Sequence, residues 1–322
     1  MLEPEPSPAA AQAASERSAA LVGRLGANIT RAVQIRPLTL SHLLIAVIAE
    51  GHVLIEDYPG VGKTALARAL ARSIDCQFAR VQCTSDLLPA DVVGTNVYDQ
   101  REQRFEFRPG PVFANVVLVD EINRASPRTQ SGLLECMQER CVTVDVHTHE
   151  LARPFVVLAT QNPIEYEGTY ALPEAQVDRF MVRISLGYPA RGDEAAMLAD
   201  HQAADKVQSL VPVATAAELL AAQNAATRVL ASEALRNYVV ALLWRTREDP
   251  RVDLGASPRA GLMLLRAAKA RAMIHGRTHA LPDDVQALVE PVLAHRLVLA
   301  AESPRGGARE VLADAIASVR AL

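Results

Sequence analysis

The sequence predicts an α/β protein: a parallel sheet flanked by helices and carrying inserted β-hairpins, followed by an all-α unit. Three observations predict it. Short apolar runs alternate with helix-prone stretches over roughly the first 190 residues. One run, His52-Val-Leu-Ile55, leads into a glycine-bearing loop that ends in Lys63-Thr64 and opens a helix. From about Tyr188-Pro189 onward, helical patterns rich in Ala and Leu take over. Runs that are apolar on both faces, with helices between them, belong to a parallel sheet covered on both sides.

Taken in order, residues 1–20 are rich in Ala, Pro, Glu and Ser and read as a disordered tail with a frayed helical end. A helical pattern follows through Leu38-Thr-Leu40 and Leu43–Ile48. The expected strands are His52–Glu56, Phe78–Gln82, Val116–Val119, Phe155–Thr160 and Arg183–Leu186. Between them lie helices marked by Ala65–Ser73 and Ser126–Glu139, the second with Ser126 as N-cap and Pro127 in the first helical position. Two stretches break the alternation. Asn96-Val-Tyr98 and Arg104–Phe107 flank a polar turn, and Cys141–Val146 alternates apolar and polar with Glu150–Pro154 as its return arm. Both read as β-hairpins. Helices are then expected over Ala216–Leu230, Ser232–Arg247, Pro258–Ile274 and Pro282–Val292. The organisation is therefore a tail (1–20), an α/β unit (21–189) and a helical unit (190–322).

The loop after the first strand has the chemistry of a phosphate cradle. Pro59, Gly60, Val61, Gly62, Lys63, Thr64 and Ala65 form it. The glycines let backbone N–H groups face an anion, Lys63 brings a positive charge to β- and γ-phosphates, and the Thr64 hydroxyl is a Mg²⁺ ligand type. The strict pattern has glycine where this chain has Asp57; that position precedes the cradle, so binding is expected to survive. The run Val116–Val119 ends in Asp120-Glu121, two carboxylates at the C-terminal end of a buried strand, where ligands of doubly wound sheets sit. Asp120 suits a Mg²⁺ shell and Glu121 suits activation of an attacking water. One strand further on, Asn162 offers a donor and an acceptor for a γ-phosphate or that water. Arg179 lies near a helix end, as a surface charge, a local salt bridge or a finger toward a neighbour's nucleotide. In Ala256-Ser-Pro-Arg-Ala260, Ser257 caps a helix and Arg259 lies in its first turn, facing an anion or solvent. His147-Thr-His149 shares a strand face, but no fourth ligand accompanies it and the hairpin accounts for it.

Composition excludes some classes. A net charge of −4 without a dense Lys/Arg block argues against non-specific nucleic-acid binding. No uninterrupted apolar run approaches the ~20 residues that span a bilayer. Met1–Pro8 has neither a basic segment nor an apolar core, so no secretory signal is expected. The four cysteines form no Cys-x-x-Cys pair and fit reduced thiols of a cytoplasmic protein.

Longer stretches are more specific still. Phe105–Asn115, Asp120–Glu139, Ala159–Tyr170, Leu172–Phe180 and Gly255–Ala260, in that order, resemble the MoxR family of AAA+ ATPases over roughly residues 22–300. The resemblance implies a P-loop AAA+ core with a helical lid, a Walker A at Gly60–Thr64, a Walker B at Asp120-Glu121, sensor 1 at Asn162 and sensor 2 at Arg259. It implies ATP with Mg²⁺, and Arg179 as arginine finger with Arg124 and Arg128 as rivals at the subunit seam. The hairpins match the helix-2 and pre-sensor-1 inserts, and Gln82 would touch Glu121 before ATP engages. The family's Val-Gly-Gln-type turn beside the adenine is absent near Val33–Arg36, which leaves the base contacts unassigned. The implied assembly is a homo-oligomeric ring, a hexamer, with a von Willebrand A-domain partner and an unknown client, in which hydrolysis swings the lid through Arg259. A nucleotide-gated scaffold, a chelatase-like motor and a DNA-directed motor stay open as alternatives.

Overall fold

The computed structural model describes residues 7–162, 170–188, 192, 206–301 and 307–321. The elements run α1 (Pro8–Thr30), α2 (Pro37–Ile48), β1 (Val53–Glu56), α3 (Lys63–Ser73), β2 (Phe78–Gln82), α4 (Pro89–Val93), β3 (Gly94–Asp99) and β4 (Arg104–Pro109). Next come β5 (Val116–Asp120), α5 (Pro127–Glu139), β6 (Cys141–Val144), β7 (His147–Glu150), β8 (Val156–Gln161), α6 (Glu174–Val177) and β9 (Val182–Ile184). The remainder is α7 (Ala216–Thr227), α8 (Glu233–Glu248), β10 (Val252–Leu254), α9 (Pro258–Ile274), α10 (Pro282–Leu293), β11 (Val298–Leu299) and α11 (Gly307–Ser318).

Five strands form one parallel sheet in the order β2-β5-β8-β1-β9. Successive side chains of a strand point to opposite faces, and the core divides accordingly. Val53, Ile55, Val116, Leu118 and Leu158 pack under α1, α2 and α3, in one apolar cluster that continues into the helical unit. Leu54, Val117, Val119, Val157 and Ala159 face the other way, onto Leu133, Leu134 and Met137 of α5. Covering both faces is what the unbroken apolar runs require. The β3–β4 and β6–β7 hairpins stand outside this sheet as separate antiparallel pairs. They touch each other: Phe107 stacks on His149 with ring centroids 3.9 Å apart, and Asn96 Nδ2 donates to Asp145 Oδ2 at 2.6 Å.

Three sequence expectations change. The return arm of the second hairpin is His147–Glu150, because the chain turns at Asp145, in the left-handed region at φ 54°. The helical unit also holds a short antiparallel ribbon, β10 with β11. The largest change is at the N-terminus, where the disordered tail expected over 1–20 is, from Pro8 on, the start of a 23-residue helix. Ser7 caps it, its side chain accepting from Ala10 N, and Pro8 occupies the first turn. Alanine is the strongest helix former, and the helix docks as well. The buried Ser15 hydroxyl bonds to the Met273 and Arg277 carbonyls, and Gln12 Nε2 donates to the Gly276 carbonyl. The expected boundary at residues 189/190 lies outside the described residues, as do 1–6 of the tail and Pro163–Thr169 of the family-like stretch.

Candidate active site

At the C-terminal edge of the sheet, β1 runs into the glycine loop. Gly60 and Gly62 take φ values of 83° and 92°, in the region that only glycine enters without strain. Gly62 is also the N-cap of α3, so the free N–H groups of that helix open onto the loop. A Cβ on either glycine would meet nothing within 4 Å, so the concave side of the loop is open. Lys63 Nζ lies across the loop and donates to the Asp57 carbonyl at 2.9 Å.

Asp57, the departure from the strict pattern, has a definite task. It is buried, and its Oδ2 accepts from Leu186 N at 2.5 Å, Gly187 N at 2.9 Å and Ser185 Oγ at 3.2 Å. Its Oδ1 accepts from Tyr58 N at 3.1 Å. A glycine here would leave those three backbone donors to find other partners. The next residue repeats the link, since the Tyr58 ring stacks on Tyr188 with centroids 5.4 Å apart. The mouth of the loop is thereby fastened to the segment that follows β9.

The two acids stand at the C-terminal end of β5, two strands away, Asp120 as its last residue and Glu121 just beyond it. Asp120 Oδ1 accepts from Thr160 Oγ1 of β8 at 2.7 Å. Its Oδ2 accepts from Arg80 of β2 twice, from Nη2 at 2.7 Å and Nε at 3.1 Å. Glu121 has left-handed backbone at φ 55°, which a non-glycine residue holds only when its surroundings impose it. Here Glu121 N donates to Thr160 Oγ1 at 2.9 Å. The Glu121 carboxylate accepts from Gln82 Nε2 at 3.0 Å, the expected contact, and from Arg124 Nη1 at 3.1 Å. Arg80 Nη2 also donates to Gln82 Oε1 at 2.8 Å. The bonds close into a circuit: Asp120, Thr160, the Glu121 backbone, the Glu121 carboxylate, Gln82, Arg80 and back to Asp120. Beside it, burial and the two acids push the Cys83 thiol up to about 12, so it stays protonated.

Asn162 follows the last residue of β8, whose Gln161 pairs with Glu56 of β1 and whose carbonyl accepts from Asp57 N at 3.1 Å. The glycine loop, Asn162 and the two acids therefore occupy the same edge on the adjacent strands β1, β8 and β5. Open donors around a lysine, with a hydroxyl and a carboxylate at hand, fit a polyphosphate with a divalent cation. Thr64 and Asp120 are the residues that would hold the cation.

Arg179 and Arg259 are elsewhere. Met181 N donates to the His52 carbonyl at 2.8 Å, which places the segment before β9 at the N-terminal edge of the sheet, opposite the glycine loop. Arg179 lies there, beside a cavity of about 240 Å³ lined also by Glu50, Arg140, Arg259, Leu262 and Arg266. No residue of the loop 57–65 lines it. Arg259 is brought to this edge by Asp178, which accepts from the N-cap Ser257 Oγ of α9 at 3.1 Å and from the buried Arg296 Nε at 2.8 Å. Arg259, expected to meet an anion as sensor 2, lines the same cavity as Arg179, away from the phosphate loop of its own chain. Neither guanidinium bonds to a described residue. Of the rival fingers, both exposed, Arg124 is bonded to Glu121 of its own chain, while Arg128 lies in the first turn of α5.

Sequence reasoning named the loop, the acids and Asn162. It missed Arg80 and Thr160, which carry no motif of their own. The signal for Arg80 was its place two residues before Gln82, on the same face of β2.

Comparison with known proteins agrees with this architecture. Residues 52–182 match the family model described as ATPase family associated with various cellular activities (AAA), and residues 245–315 match the AAA lid domain. The fold is that of the AAA+ ATPase class. A solved structure from Cytophaga hutchinsonii, described as a candidate ATPase, superposes with a TM-score of 0.87 at 35% identity, covering 97% of this chain and 98% of that one. Chaperone MoxR1 of Mycobacterium tuberculosis is 40% identical over 269 residues, 81% of this chain and 71% of that protein. Protein MoxR of Paracoccus denitrificans is 36% identical over 307 residues, 86% and 88% of the two chains. The Bacillus subtilis protein YeaC, which has no assigned function, is 48% identical over 260 residues, 81% of each. Within the AAA+ class, the chain belongs to the MoxR family.

Proposed function

We propose that this MoxR-family protein hydrolyses ATP to ADP and phosphate, and that hydrolysis drives chaperone-like remodelling, maturation or assembly of other proteins. The observation that carries the reading is the division of the site. Loop, acids and Asn162 stand at one edge of the sheet, and Arg179 and Arg259, bonded to no described residue, at the other. Such a site is complete only where two copies meet, as in the rings that AAA+ proteins commonly form, and a hexamer is the ring we favour.

In that ring the segment Pro59–Ala65 holds the phosphates, with Lys63 on the β- and γ-groups. Mg²⁺, on Thr64 and Asp120, supplies positive charge to the phosphate oxygens when bound. Glu121 accepts a proton from the attacking water, Asn162 orients that water against the γ-phosphate, and Arg179 and Arg259 of the neighbouring copy meet the charge that develops in transfer. A von Willebrand A-domain protein as partner, a separate client and a cytoplasmic setting complete the proposal. Among the described residues no helix is long and apolar enough to cross a membrane.

A nucleotide-gated scaffold with little turnover is the second reading. It is favoured by one observation: Glu121 is held by Gln82 and Arg124 and is not free to act as a base. Phosphate release separates the two. The enzyme reading expects Glu121→Gln to bind ATP normally and to lower phosphate release by about a hundredfold or more. Equal release by wild type and variant would leave the scaffold.

A further inference from the structure

Arg80 has no part in the hydrolytic scheme, yet it is the one cation bonded to Asp120 among the described residues. The Asp120 side chain is 11% exposed, and a carboxylate that is nearly buried requires a counter-charge. Arg80 directs two nitrogens at one oxygen of it, Oδ2. The other oxygen, Oδ1, belongs to Thr160, whose hydroxyl also receives the Glu121 N–H. The carboxylate is therefore pinned through Oδ1, and the oxygen Arg80 covers is the one left for a metal.

Arg80 has room to leave. It sits on β2, an edge strand of the sheet, and its side chain is 48% exposed. Its departure has a consequence beyond Asp120, because Arg80 Nη2 also anchors Gln82 Oε1, and Gln82 Nε2 holds Glu121.

We propose that Arg80 is a positioning residue that serves as resident counter-cation of Asp120, and that a divalent cation arriving with nucleotide must displace it, loosening Gln82 and with it Glu121. The exchange has the right direction. A dication held at Asp120 would bring twice the charge of a guanidinium on a more compact centre. It replaces Arg80 when the metal is present, and Arg80 holds the acids in place when it is absent. Hydrolytic readiness would then depend on the metal as well as on the triphosphate.

The inference rests on the nucleotide-binding reading above, and binding tests it without relying on turnover. A fluorescent ATP analogue is titrated with Mg²⁺ against wild type, Arg80→Gln and Arg80→Lys, with thermal melts to confirm folding. Removing the competing cation in Arg80→Gln should lower the Mg²⁺ concentration at half-maximal binding by about fivefold. Arg80→Lys keeps a charge but cannot bridge Asp120 and Gln82, and should lower it by about twofold. If Arg80→Gln does not fold, the Lys variant carries the test. A midpoint that stays put or rises in the folded variants overturns the assignment of Arg80 alone. A wild type that binds no nucleotide at any Mg²⁺ concentration overturns the functional reading, and the Arg80 proposal with it.

Discussion

His52 shows how much one side chain fixes. It precedes β1, buried, with both ring nitrogens engaged: Nε2 bonds the Met137 carbonyl at 2.9 Å and Nδ1 accepts from Val157 N at 3.0 Å. It ties α5 to β8, and burial lowers its pKa to about 4. The unfolded chain, with a histidine near its ordinary value of about 6.5, takes up a proton that the folded chain refuses between those limits. Stability should therefore fall as pH drops from about 6.5 to about 4, by about 3 kcal/mol from this residue, and level off below. Urea denaturation at a series of pH values checks this. His42, His275 and His295 are lowered by burial too, so His52→Asn should flatten the slope only in part. The site residues that the sequence disclosed at this scale are those whose spacing is dictated by a phosphate or a metal. Arg80, Thr160 and the task of Asp57 were not legible, because each answers to a partner on another strand or segment.

At the scale of elements, the sheet was legible nearly to the residue, since strands buried on both faces must be apolar throughout. The caps were equally plain: Ser126 accepts from Thr129 N and Ser257 from Ala260 N, as their positions before Pro127 and Pro258 announced. What failed was α1. Its first turns contain alanine and serine in place of large apolar residues, so the stripe that signals a docked helix is missing, although Ser15 and Ser18 are buried. Deleting residues 1–20 distinguishes helix from tail. The docked helix predicts a melting temperature lower by several degrees, read by circular dichroism; a free tail predicts no change. The hairpins make a related prediction. Phe107→Ala removes the stack on His149 and should loosen the contact between the two hairpins, seen as faster amide exchange in 141–150, with the melting temperature of the sheet little changed.

For the whole molecule, the location of Arg259 was the least legible feature. It depends on how the helical unit sits against the sheet, which Asp178, Arg296 and Ser257 decide together from three distant parts of the chain. The division of the site predicts complementation. Arg179→Ala and Glu121→Gln should each be inactive as sole components. Mixed in equal amounts, they should recover activity, because about a quarter of the seams in a heterologous ring then join an intact Glu121 to an intact Arg179. A site contained in one chain predicts no recovery, and steady-state phosphate release decides between the two.

The long first helix bears on where such a machine can move. Asn28 Nδ2 reaches both Ser73 Oγ, at the end of the helix that begins at the glycine loop, and the Val211 carbonyl leading into the helical unit. Arg24 grips the Val213 carbonyl and Glu218 of α7, and Ser15 grips the end of α9. One rod thus splints the α/β unit to the lid along most of its length. A subunit splinted in this way is poorly suited to opening and shutting like a jaw. The stroke of the machine would then arise as whole protomers pivot on their neighbours, with the joints of the ring as its hinges.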